Sequence, residues 1–118
     1  LWAVVLKGSG KMIGDCGDTM QNINGSRKPE IGHHIAKKYQ HQGYAKEASQ
    51  KVRDWIFENT PFNIIYSYMK KSNIASSATA RSNGMCYVDE FNDSENEITV
   101  VYAITRNEWN NLKTSVNF

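Results

Sequence analysis

The stretch Gln40-His41-Gln42-Gly43-Tyr44-Ala45-Lys46-Glu47-Ala48 constrains this chain more than any other, because within it a strand must end, turn on a glycine and become a helix. A helix start leaves its first backbone N–H groups without intrahelical acceptors and carries a partial positive charge. Residues 41–45 can therefore gather amide donors around an anion, and a pyrophosphate fits that description. Gly43 permits angles that a side chain would forbid and lets a ligand approach the backbone, while Ala45 keeps the next turn slim where the helix meets a sheet. The same residues also suit an ordinary strand-to-helix turn.

With 118 residues and 40% hydrophobic content, the chain makes one domain, 1–118, around one core. A net charge of +2 argues against nucleic acid or an anionic membrane as partner. Lys37-Lys38 and Lys70-Lys71 read as solvated strand ends, although a nearby cation could serve a phosphate. Cys16 and Cys86 lack Cys-x-x-Cys spacing and no secretory signal precedes them, so free thiols in a reducing, cytoplasmic compartment are expected. No apolar run approaches the roughly 20 residues that span a bilayer. Asn24-Gly25-Ser26 and Asn92-Asp93-Ser94 are turn chemistry in this context.

Residues 1–6 form an apolar strand that opens without an initiator Met, which points to a missing upstream segment. Lys7-Gly8-Ser9-Gly10-Lys11 marks a hairpin, and a second strand follows over residues 12–20. Gly14 and Gly17 inside it imply a bulge or a close backbone approach. The polar run 21–29, ending at Pro29, reads as a loop. In the strand over 30–37, alternation puts Ile31, His33 and Ile35 on one face and Gly32, His34 and Ala36 on the other, so the two histidines cannot easily share a metal. No metal site is expected.

Over 43–58, Ala45, Ala48, Val52, Trp55 and Ile56 recur at three- and four-residue steps, the strongest helical pattern in the chain, and Thr60-Pro61 ends it. A strand over 62–68 follows. Ser72-Asn73 then caps a helix reaching Ser82, which Asn83-Gly84 closes. Strands over 85–91 and 97–105 flank a turn, and Thr105-Arg106-Asn107-Glu108 has the capping-box spacing of a short terminal helix through Lys113, with a frayed tail beyond. The order β-β-β-α-β-α-β-β specifies an α+β domain on one sheet.

That order, with Gln40-His41-Gln42-Gly43-Tyr44-Ala45 as a Gln/Arg-x-x-Gly-x-Gly/Ala signature, resembles the GNAT superfamily of acyl-CoA-dependent N-acetyltransferases. Gly32-His33-His34-Ile35, the Gly43-Tyr44-Ala45-Lys46-Glu47-Ala48 helix start, Asn73-Ile74-Ala75-Ser76 and Gly84-Met85 are similar to the ribosomal-protein-alanine N-acetyltransferase branch. His33 and Gln40-His41 depart from it, standing where that branch has an aromatic and a Trp/Arg-Gly pair. The resemblance implies a mostly antiparallel sheet with a V-shaped splay and helices on both faces, here lacking the family's first strand and two helices. Those helices form much of the acceptor wall. An apolar edge at residues 1–6 then favours completion of the sheet by a second copy, a homodimer.

The activity so implied is transfer of an acetyl group from acetyl-CoA to a primary amine, of a small molecule or a protein N-terminus, by direct attack. Backbone groups of His33, His34 and Ile35 would pair with pantetheine like an added strand. Amides around Gln40, His41, Gln42, Gly43, Tyr44, Ala45 and Lys46 would hold the pyrophosphate. Asn73 would hydrogen-bond pantetheine, or serve only as a helix cap, and Ser76 would protonate the leaving thiolate. Glu30 and His33 are the candidates for the base. A CoA-sensing or docking module on the same fold, without turnover, is the alternative. A small RNA-binding domain is a third reading, which the modest charge argues against.

Overall fold

The computed structural model describes residues 2–23 and 26–115, with side chains over 2–17 and 28–113. Its elements are β1 (Trp2–Val5), β2 (Met12–Ile23), β3 (Ser26–Ile35), a 3-10 turn (Lys37–Tyr39), α1 (Tyr44–Asn59), β4 (Ile64–Lys70), α2 (Ile74–Ser82), β5 (Cys86–Asn92), β6 (Ile98–Thr105) and α3 (Arg106–Ser115). The strands form one sheet in the order β1-β2-β3-β4-β6-β5. Among the described residues the β3–β4 pair is parallel and the other neighbours are antiparallel.

The β3–β4 seam is short. It registers where Glu30 lies opposite Tyr66, and the Ser67 hydroxyl donates to Ile31 O at 3.1 Å. Beyond that point β3 stays on β2 through Ile35 while β4 stays on β6 through Lys70, so the sheet splays into two halves. This is the expected V.

The strand pattern explains the core. Ile65 opposite Ile104, Ser67 opposite Tyr102 and Met69 opposite Val100 point to one side. There Ile65, Met69, Val100, Tyr102 and Ile104 join Cys16 and Ile31, Val52, Ile56 and Phe57 of α1, Ala80 of α2 and Trp109 of α3 in a single cluster. Ile56, Ile65 and Ile104 are wholly excluded from solvent, which stabilises the fold by about 1.5–3 kcal/mol for each side chain. The described helices α1, α2 and α3 all contribute to the cluster on this face. Val101 and Ala103 alternate with the core positions and are buried outside that cluster, facing the helix-free side.

Residues 21–23 and 26–29 are strand, not loop. Met20 pairs with Pro29, Gln21 with Lys28 and Asn22 with Arg27 along an unbroken ladder that reaches Gly14 opposite Ile35. Residues 24 and 25, where the turn was expected, lie outside the described residues, as does the expected tail at 116–118. Gly14 satisfies the close-approach alternative, since a Cβ there would come within 2.0 Å of His34 O. No helix among the described residues is long and apolar enough to cross a membrane.

Candidate cofactor cleft

β3 ends at Ile35 rather than Lys37, and the chain turns through residues 37–39 before α1 begins. Two glutamine side chains brace this turn. Gln40 Nε2 donates to Ile35 O at 3.0 Å and Gln42 Nε2 donates to Lys38 O at 3.3 Å. His41 and Gly43 then adopt left-handed backbone, with φ of 63° and 85°. That conformation is cheap for Gly43 and costly for a residue with a Cβ. Gly43 is the N-cap of α1 and no side chain caps the helix.

The consequence is a row of unclaimed donors. The first amide of this segment with an acceptor is that of Glu47, which donates to Gly43 O at 3.0 Å. Among the described residues the amides of 41–46 have none. A Cβ on Gly43 would meet no atom within 4 Å, so the space over this turn is open to a ligand.

That space belongs to a cleft of about 440 Å³ between the end of β3, the start of α1 and the first turns of α2. His33, His34 and Ile35 form one wall; His41, Gly43 and Tyr44 form the floor. Gln40, Ala45 and Lys46 border it as well. Asn73 and Ser76 stand on the α2 wall, which the sequence separates from Gly43 by about thirty positions. Gln42 does not line the cleft; its side chain holds the turn from behind.

Asn73 does act as a cap, its side-chain oxygen accepting from Ser76 N at 3.1 Å, and it borders the cleft at the same time. Ser76 is half-buried one turn into α2. His33 is half-buried on the helix-covered face, opposite Cys16. Burial, and then the neighbouring His34, hold its pKa below the ordinary 6.5. The ring is therefore neutral near pH 7 and able to accept a proton. His34 points the other way and pairs through Nδ1 with Asp15 Oδ1 at 3.1 Å. Glu30 is not brought into the cleft: three residues from His33, it lies on the helix-free face beside Tyr66.

Sequence reasoning missed the bracing by Gln40 and Gln42, and the 3-10 turn itself. It also missed an apolar groove of about 630 Å³ between β1 and α1, where Trp2 and Trp55 meet edge to face at 5.4 Å. The exposed Trp55 in an otherwise regular apolar stripe was the available signal. No group of three His, Cys, Asp or Glu able to hold a metal occurs among the described residues.

Comparison with known proteins adds four findings. The family described as "Acetyltransferase (GNAT) domain" matches residues 1–86. The uncharacterized protein YkkB of Bacillus subtilis (strain 168) is 32% identical over 87 residues, covering 74% of this chain and 51% of that protein. The crystal structure of a GNAT-family acetyltransferase from Bacillus anthracis superposes with a TM-score of 0.78 at 24% identity, over 89% of this chain and 65% of that one. A coenzyme A complex of RimL, a ribosomal L7/L12 alpha-N-protein acetyltransferase, superposes with a TM-score of 0.70 at 20% identity, over 81% and 56%. The chain thus spans about half the length of the curated relative it matches.

Proposed function

The chain belongs to the GNAT acetyltransferase family, and from that membership we propose that it transfers an acetyl group from acetyl-CoA to a primary amine. The observation that carries this reading is the set of acceptor-less amides at 41–46 around left-handed Gly43, on the floor of a cleft at the sheet's splay. These amides fit a pyrophosphate by donor number and by the sign of the helix field. In the reaction the amine nitrogen forms a bond to the acetyl carbon, the carbon–sulfur bond breaks, the nitrogen gives up a proton and the thiolate takes one.

Each residue has a part in this proposal. Backbone groups at 33–35 hold the pantetheine arm, and Asn73 adds a hydrogen bond from its side-chain nitrogen, because its oxygen is engaged in the cap. Ser76 supplies the proton to sulfur. Neutral His33 accepts the proton from the amine, alone or through water, in preference to Glu30, which lies outside the cleft.

The acceptor is a primary amine of a small molecule or, as in the RimL relative's name, a protein N-terminus. The free cysteines Cys16 and Cys86 support a reducing, cytoplasmic setting. The exposed Trp2 and Val5 of edge strand β1 support pairing with a second copy.

A CoA-binding module without turnover is the second reading, favoured by the position of Glu30. Native mass spectrometry with and without acetyl-CoA tests both binding and subunit count. Thiol release in the presence of an amine panel then separates the readings: turnover supports the transferase, while a bound cofactor that no amine discharges supports the module. A chain that takes up no acetyl-CoA at all defeats both.

A further inference from the structure

The inner end of the V is tied by a side chain. β3 and β4 are in register where Glu30 lies opposite Tyr66, and from that row the parallel run sets Ile31 beside Ser67 and His33 level with Met69. The Ser67 hydroxyl donates to Ile31 O at 3.1 Å, so the Ile31–Ser67 row is held together across the gap. One row further on, at His33 and Met69, the strands have parted: β3 stays with β2 and β4 stays with β6.

The packing behind this tie is tight. Ile31 is 4% exposed and Tyr102, opposite Ser67 on β6, is 6% exposed; both belong to the core cluster, as does Met69. The cleft stops in front of the tied row. On β3 it is lined by His33, His34 and Ile35, and Ile31 is not among its walls. A ligand entering along β3 from Ile35 toward Ile31 therefore meets a closed end, formed by the engaged Ser67 hydroxyl and the buried side chains of Ile31, Met69 and Tyr102.

The acetyl-transfer reading, on which the next step rests, lays the pantetheine arm on the backbone of 33–35 and brings its sulfur to Ser76. The acyl group then points from His33 at the Ile31–Ser67 row, two residues or about 7 Å further along the strand. The thioester carbon, the acyl chain and the radius of its last atom all have to fit within that distance. An acetyl group uses most of it, and each added carbon takes roughly 1.3 Å more, the projection of a ~1.5 Å single bond. A six-carbon chain needs about 5 Å that the closed row does not give.

We propose that the Ser67–Ile31 tie is the acyl-length stop of this chain: while it is closed, the cleft takes an acetyl group and refuses a six-carbon acyl group. The Glu30–Tyr66 pairing one residue back joins the two halves whether or not the hydroxyl is present. Removing the hydroxyl therefore frees one row without separating the halves, and the stop retreats.

Thiol release from acetyl-CoA and hexanoyl-CoA, each with the amine of the panel that is turned over fastest, tests this in the unaltered chain, Ser67→Ala and Ser67→Thr. The expected kcat/KM is at least tenfold higher for acetyl-CoA than for hexanoyl-CoA. Ser67→Ala should narrow that ratio at least fivefold, and Ser67→Thr, which keeps a hydroxyl, should retain it. A merely structural role lowers both donors together and leaves the ratio alone, so a parallel fall overturns the proposal. A ratio below ten in the unaltered chain, or one that Ser67→Thr does not keep, overturns it as well. If neither donor is discharged, the transfer reading fails on its own, and calorimetric titration with the same two thioesters decides the stop. Hexanoyl-CoA bound at least tenfold more weakly than acetyl-CoA, with the gap narrowed in Ser67→Ala, upholds it; any smaller gap, a gap unmoved by the variant, or no uptake of either thioester removes it.

Discussion

Gly43 combines a left-handed φ of 85° with open space where a Cβ would stand, so a side chain there strains the backbone without striking the protein. Gly43→Leu should lower stability by about 1–2 kcal/mol, the ordinary penalty for that conformation, and weaken acetyl-CoA binding by roughly tenfold or more. Thermal melting and calorimetric titration read the two effects separately, and a folded variant that binds normally would remove this turn from the site. His33 gives a prediction in pH. Its folded pKa lies below 6.5, so between that value and 6.5 the unfolded chain holds more protons. The contribution is therefore fully present above 6.5 and is lost as pH falls through this window. His33→Gln should flatten the fall in urea midpoint between about pH 7 and pH 5, whereas parallel curves for both proteins would contradict it. The roles of Gly43 and Asn73 were legible because each follows from residue type: a glycine can be left-handed, and an asparagine before a helix can cap it. The position of Glu30 was not. Alternation divides a strand into two faces but does not say which face a helix will cover.

Helix α1 is anchored at its far end by a residue from another element. Arg106, the first residue of α3, donates to Phe57 O, to Thr60 O at 2.7 Å and to Phe62 O at 2.6 Å, with its guanidinium 5.1 Å from the centre of the Phe57 ring. One side chain so satisfies carbonyls of the last turn of α1 and ties them to the segment leading into β4. Replacing it with methionine keeps the stem and removes the donors. Arg106→Met should cost about 2 kcal/mol, or a Tm lower by roughly 10 °C, because carbonyls in a half-buried setting lose their partners. A Tm within a degree or two of the unaltered chain would show that water replaces the guanidinium without loss. The element boundaries of α1, α2 and β6 were readable from periodicity and from stop signals such as Thr60-Pro61 and Asn83-Gly84. The β2–β3 hairpin was not, since Pro29 and a polar run look like a loop, yet Pro29 is fully buried opposite Met20. Tertiary pairing there overrides local propensity.

At the scale of the molecule, the two halves of the sheet meet along a short seam at Glu30, Ile31, Tyr66 and Ser67, bridged on one face by the helices. Order along the chain allowed one sheet to be foreseen, but neither the strand order nor the side the helices take, because both depend on contacts distant in sequence. The splay was anticipated only through resemblance. Its geometry has a thermodynamic consequence. The cleft takes one wall from β3 and α1 in the first half and the other from α2 in the second, so a ligand lying in it ties the halves together. Acetyl-CoA at a hundred times its Kd should stabilise the folded chain by about 2.7 kcal/mol and raise Tm by roughly 10 °C. Amide exchange should slow at residues 41–46, where the free donors lie, and also at residues 74–77 across the cleft, with little change at the β1–β2 hairpin. Protection confined to residues 41–46 would mean that only the phosphates are held and that the α2 wall takes no part. A Tm insensitive to acetyl-CoA would mean that the open donors around Gly43 belong to an ordinary helix start, and the transferase reading would lose its structural support.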